Sequence, residues 1–129
     1  MKSLILATFT LIAPILLGIF LSSGPSAEQE VLRHVVLFKF KDDATTDQVK
    51  MICEAFANLP NEISQIKGFE WGENNSPEGL NQGLTHAFVL TFHSDEDRDD
   101  YLVHPAHKAF GKKLGPILDK VTVVDYWAK

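Results

Sequence analysis

The segment LTHAFVLTFH at Leu84–His93 constrains the fold of this chain more than any other feature. Its β-branched and aromatic residues mark it as a strand. In a strand successive side chains point to opposite faces. His86, Phe88, Leu90 and Phe92 therefore share one face, and Ala87 and Val89 the other. RHVVLFKF at Arg33–Phe40 repeats the pattern, with His34, Val36, Phe38 and Phe40 opposed to Val35 and Leu37. A sheet built on these two strands is apolar on both sides and needs a cover on each.

The rest of the chain supplies one cover. Lys41–Ala44 makes a turn, and Thr45 or Thr46 caps a helix that carries Val49, Ile52, Cys53, Phe56 and Leu59 on one face and ends at Pro60-Asn61. A short strand is expected over Ile66–Trp71, followed by a polar loop, ENNSPEGLNQG. After Leu84–His93, Ser94 caps a second helix with an acidic start. His104-Pro105 breaks it, and Ala106–Leu114 restarts as a short helix. KVTVVDYW at Lys120–Trp127 is the last strand. The order strand, helix, strand, strand, helix, strand is the α+β, ferredoxin-like βαββαβ plan, an antiparallel sheet with helices on one face. Nothing remains to cover the other face, so a second copy of the same sheet is the economical partner, in a two-fold homodimer.

The chain of 129 residues holds one domain, with 45% apolar and 22% charged residues and a formal charge of -5. An acidic domain without a Lys/Arg stripe is a poor nucleic-acid binder, because phosphates need cations. Cys53 is the only cysteine and cannot form an internal disulfide; on the apolar helix face it reads as a core residue. At the N-terminus, Lys2 precedes an apolar run from Leu4 to Leu21 and a small-residue tail, Ser22–Ala27. Residues 1–27 thus read as a secretory signal peptide, or alternatively as an uncleaved membrane anchor over residues 4–21. Either reading places residues 28–129 outside the cytoplasm, periplasmic or secreted, with membrane contact only if the segment is retained.

The segments HVVLFKFKDDATTDQV at His34–Val49, GLTHAFVLTFHSDEDRDDYLVHPAHKAF at Gly83–Phe110 and the terminal VVDYW together resemble the stress-responsive dimeric α/β-barrel domain family, also called Dabb. The resemblance covers nearly all of residues 30–128, and Tyr101–His107 is its most specific part. It implies a dimeric α/β barrel with a cavity between sheet and helices. It does not fix the chemistry, because members include plant stress-associated proteins without a firm catalytic role and a polyketide-cyclising enzyme. In the cyclising member, a histidine matching His107 is the general base and a tyrosine matching Tyr101 holds or polarises the substrate. Histidines also match at His34, His86 and His104.

Two readings of these residues stand. In the first, the domain binds a small hydrophobic ligand without catalysis, and the histidines are structural or ligand-binding. His104 then caps the break before Pro105, and His34 and His86, on the inner strands of the sheet, form a hydrogen-bonded pair. In the second, the domain is a cofactor-independent cyclase or lyase. His107 removes a proton next to a carbonyl, and Tyr101 donates a hydrogen bond to the developing enolate. No cofactor is expected in either. The histidine spacing lacks the pattern of a helical metal pair, so a zinc or copper site is a weak third option. The run Asp95–Asp100 reads as a solvated helix start.

Overall fold

The computed structural model describes residues 28–129. The signal-peptide and anchor readings of residues 1–27 lie outside the described residues. Among those described, no helix is long and apolar enough to cross a membrane. The elements are β1 (Leu32–Phe40), α1 (Thr46–Glu62), β2 (Gly68–Glu73), β3 (His86–Phe92), α2 (Asp95–Val103), α3 (Pro105–Leu114), a 3-10 turn (Gly115–Ile117) and β4 (Leu118–Trp127). The four strands pair antiparallel in the order β2-β3-β1-β4, which is the ferredoxin-like α+β fold.

Local signals place the helices. The Thr45 side chain accepts from the Gln48 N–H at 3.2 Å, and Gln48 Oε1 accepts from the Thr45 N–H at 2.9 Å, a reciprocal cap. Ser94 Oγ accepts from the Asp97 N–H at 3.0 Å and starts α2. One expectation fails: α1 does not end at Pro60-Asn61 but runs through Pro60 to Glu62. Pro60 forgoes only its own N–H bond, and the Ile63 N–H closes the last turn on the Leu59 carbonyl at 2.8 Å. β2 also starts later than Ile66, because Ile66 turns inward and is buried in the core.

The helices cover the face that carries Leu32, Val36, Phe38, Phe88, Leu90 and Phe92, all buried. Phe56 of α1 is the hub. Its ring lies 4.6 Å from both Phe88 and Phe110 and 5.9 Å from Phe38. Burial of such aromatic side chains supplies the main stabilisation of the layer. Cover thins over the edge strand β4, where Val121 and Val123, opposite Phe38 and Val36, stay 46% and 51% exposed. This uncovered strip is where the helix layer opens.

The opposite face presents Val35 and Leu37 of β1, Ala87 and Val89 of β3, and Val124 and Tyr126 of β4. The first four are only partly buried, and Val124 and Tyr126 are half exposed. The alternation read from the two inner strands is therefore present, with one face packed and the other apolar but open.

Candidate functional site

A cavity of about 570 Å³ lies between the sheet and the helices, under the open strip of β4. Val36, Phe38, Phe56, Phe110, Val121 and Val123 make its apolar wall, and His34, Arg98, Tyr101, His107 and Asp125 its polar one. Small-molecule sites commonly combine such a wall with a few converging polar groups.

Tyr101 and His107 meet here because the helix breaks. Six residues along an unbroken helix separate two side chains by roughly 240°. The turn at His104-Pro105 bends α3 back on α2 and brings the two rings to 4.4 Å. His104 makes that turn. Its backbone N–H bonds the Tyr101 carbonyl at 3.2 Å, ending α2, and its Nδ1 accepts from the Ala106 N–H at 3.1 Å, starting α3. It does not line the cavity, so its placement is that of a double cap and not of a ligand contact.

His107 Nδ1 donates to the Leu102 carbonyl at 3.1 Å. The last carbonyls of a helix lack intrahelical partners, and the imidazole fills one of these vacancies at the end of α2. With the proton held on Nδ1, Nε2 keeps its lone pair. Burial pushes the His107 pKa below the ordinary histidine value; the Leu102 bond opposes this and the nearby His34 and His104 add to it. The ring is thus neutral near pH 7. Tyr101 is buried, and desolvation raises its pKa, with Asp125 adding to the effect, so the phenol keeps its proton. Its hydroxyl has no partner among the described residues. Tyr101 lines the cavity.

His34 enters from β1. Its Nδ1 donates to Asp125 Oδ1 at 2.6 Å, and its ring edge meets Tyr101 at 5.6 Å. Asp125 Oδ2 in turn accepts from Arg98 Nη1 at 2.9 Å. Neither Arg98 nor Asp125 stands out in the reading of the sequence. Their signals are the lone carboxylate inside the apolar strand VTVVDYW and the lone cation inside the acidic run SDEDRDD.

His86 is not part of this group. The register sets His34 against Leu90 and His86 against Phe38, four residues along the strands, or roughly 13 Å. The expected hydrogen-bonded pair of His34 and His86 therefore does not form: the two share a face but lie at different rungs. His86 bonds the Thr85 hydroxyl at 2.8 Å and stacks under Trp71 at 6.2 Å. It borders a separate hollow of about 550 Å³ beside the loop of residues 74–85. Among the described residues, no three His, Cys, Asp or Glu side chains converge on a common point. Cys53 is a core residue whose thiol burial pushes up to about 11, which keeps it protonated.

The stress responsive A/B barrel domain family matches residues 32–128. The chain belongs to this family. The stress-response A/B barrel domain-containing protein HS1 of Arabidopsis thaliana is 42% identical over 95 residues, 74% of this chain and 87% of that protein. Olivetolic acid cyclase of Cannabis sativa is 34% identical over 95 residues, 74% of this chain and 94% of the cyclase. Among solved structures, the hydroxynitrile lyase of Passiflora edulis superposes with a TM-score of 0.74 at 30% identity, covering 79% of this chain and 96% of the lyase. A dimeric protein of unknown function and ferredoxin-like fold from Bacteroides fragilis superposes with a TM-score of 0.63 at 30% identity, covering 76% of this chain and 96% of its own. The family thus includes both stress-response barrel proteins and enzymes, and some members are dimeric.

Proposed function

We propose that this member is a cofactor-free acid–base catalyst, a cyclase- or lyase-type enzyme acting on a small carbonyl compound with an apolar body. The carrying observation is that His107, with Nδ1 tied to the Leu102 carbonyl, and Tyr101, whose hydroxyl has no partner among the described residues, line one cavity whose remaining wall is largely apolar. His107 Nε2 takes a proton from the carbon next to the carbonyl. The electron pair moves onto the carbonyl oxygen, where Tyr101 O–H donates a hydrogen bond to the forming enolate. The enolate then attacks or expels its partner group, and the imidazolium returns the proton. The named activities of the cyclase and lyase relatives support this class. The competing reading is a barrel that binds a small hydrophobic ligand in the same cavity and turns nothing over.

The test is proton exchange from 4-phenylbutan-2-one in heavy water, followed by NMR. The protein accelerates loss of the signals beside the carbonyl, and His107→Ala lowers the rate about 100-fold or more, the usual worth of a general base. Binding of the ketone with no exchange, or equal exchange by both proteins, leaves the ligand-binding reading in place.

The apolar open face made by Val35, Leu37, Val89 and Val124 supports self-association as a two-fold pair, the state also described for the Bacteroides fragilis relative. Sedimentation at micromolar concentration should give a dimer, and Val35→Asp with Val124→Asp a monomer. Residues 1–27 support a role outside the cytoplasm, as a cleaved signal or an anchor. N-terminal sequencing of the cell-fractionated protein decides between them, and a full-length cytoplasmic product would rule out both.

A further inference from the structure

The cavity holds a second histidine with the same layout as His107. In each, Nδ1 is anchored to the protein, at the Leu102 carbonyl for His107 and at the Asp125 carboxylate for His34. In each, Nε2 has no partner among the described residues, and both residues line the cavity. Both rings pack on Tyr101, at 4.4 Å and 5.6 Å, so they flank the same phenol. The difference lies in how the anchors are fixed. A helix carbonyl is rigid. Asp125 is a side chain on an edge strand, partly open to water, and by itself would swing between rotamers.

Arg98 removes that freedom. Its Nη1 takes Asp125 Oδ2 at 2.9 Å while His34 takes Oδ1 at 2.6 Å, so both carboxylate oxygens are committed in one orientation. Arg98 is itself held by Asp99 at 2.8 Å, with Asp95 at 3.5 Å. The chain of contacts ties α2 to β4 across the side of the cavity that the helices leave open. Resting on the catalytic reading above, we propose that Arg98 is a positioning residue. By clamping Asp125 it keeps the His34 proton on Nδ1 and Nε2 turned to the cavity, beside His107 and Tyr101, and so favours ligands that carry two oxygen functions on one apolar frame. The first oxygen is met by Tyr101. The second meets His34 through a bridging water or as a hydroxyl or enol that donates to Nε2. Three carboxylates already surround Arg98, so the guanidinium serves Asp125 and not an anionic ligand.

Two measurements test this on the same proteins. Long-range nitrogen–proton NMR of the imidazoles reads the tautomer of each histidine without any ligand. His34 should hold its proton on Nδ1 in the parent protein and give mixed tautomers in Arg98→Met, with Arg98→Lys between them and His107 unmoved. Titration calorimetry compares 1-phenylbutane-1,3-dione with 4-phenylbutan-2-one, which share an apolar frame and differ in oxygen count. The dione should bind about tenfold more tightly to the parent, the worth of one hydrogen bond. Arg98→Met should bring the two to near equality by weakening the dione alone. The Arg98–Asp125 pair is partly buried, so far-UV circular dichroism and thermal unfolding of Arg98→Met first establish that it folds, and Arg98→Lys, which retains a charge at the site, guards the conclusion. An unchanged His34 tautomer in Arg98→Met, or an unchanged preference for the dione, overturns the proposal. Absence of ketone exchange alongside the expected tautomer and binding changes would instead sink the catalytic reading and leave the positioning role standing.

Discussion

His34 and His86 occupy the same face of the same two inner strands, and both are buried, yet they serve opposite ends of the domain. Around His34 the helix layer is open toward β4. The imidazole there meets a carboxylate, a phenol and a cavity. Around His86 the neighbours are aromatic: Trp71 stacks on it, and Phe40 meets its edge at 5.1 Å. Its nearest carboxylate, Glu73, is largely exposed and 3.7 Å from Nε2. Burial lowers the His86 pKa, with Glu73 opposing, so the ring sits neutral as part of the packing. The contrast teaches that residue type and strand face do not assign a histidine to a site. What lies over the strand does.

Three changes would break or sharpen the contrast. The largest effect belongs to Phe56, which spans both ends through Phe38, Phe88 and Phe110 and also walls the cavity. Phe56→Ala should cost about 3–5 kcal/mol in denaturant unfolding, because it removes the ring on which Phe38, Phe88 and Phe110 pack and leaves a void among them. A cost under about 1 kcal/mol would mean that the aromatic layer is not one cooperative core. His86→Ala comes next. Removing this packed ring should lower stability by about 2 kcal/mol while ketone exchange stays unchanged. A fall in exchange comparable to that of His107→Ala would erase the distinction between the two ends.

The smallest effect is in pH. The pKa values of His86 and His107 are both lowered on folding, so the unfolded chain binds protons at these positions more readily. Their contribution to stability is full above the ordinary histidine value of 6.5 and declines as pH falls below it toward the folded pKa values. Melting temperatures should therefore drop between neutral and mildly acidic pH, and His86→Ala should flatten part of that slope. Ketone exchange, which needs neutral His107, should stay level across pH 7 and fall only on the acid side of 6.5. An inflection on the alkaline side would point to a different base.

The fold was largely readable in one dimension. Strand alternation in Arg33–Phe40 and Leu84–His93, the Thr45 and Ser94 caps and the His104-Pro105 break are local signals, and each acts within a few residues. Pro60 misled because a proline in the last turn of a helix removes one bond without ending it. The site was only half readable. Tyr101, His104 and His107 are conspicuous as a cluster, but their spacing on a continuous helix would have kept Tyr101 and His107 apart. Arg98 and Asp125 do not stand out in the sequence, because the contacts that bring them to the site, Arg98 to Asp125 and Asp125 to His34, join segments distant in sequence.

The sequence by itself determined which residues alternate, where helices begin and break, and that both sheet faces are apolar, because these depend on neighbours along the chain. Only the tertiary structure decided that His104 is a cap, that His86 stands apart, and that His34 joins Tyr101, His107, Asp125 and Arg98 around one cavity. The physical reason is that these assignments depend on strand register and on how far the helices reach across the sheet. Both arise from contacts between segments far apart in the chain, and no local pattern encodes them.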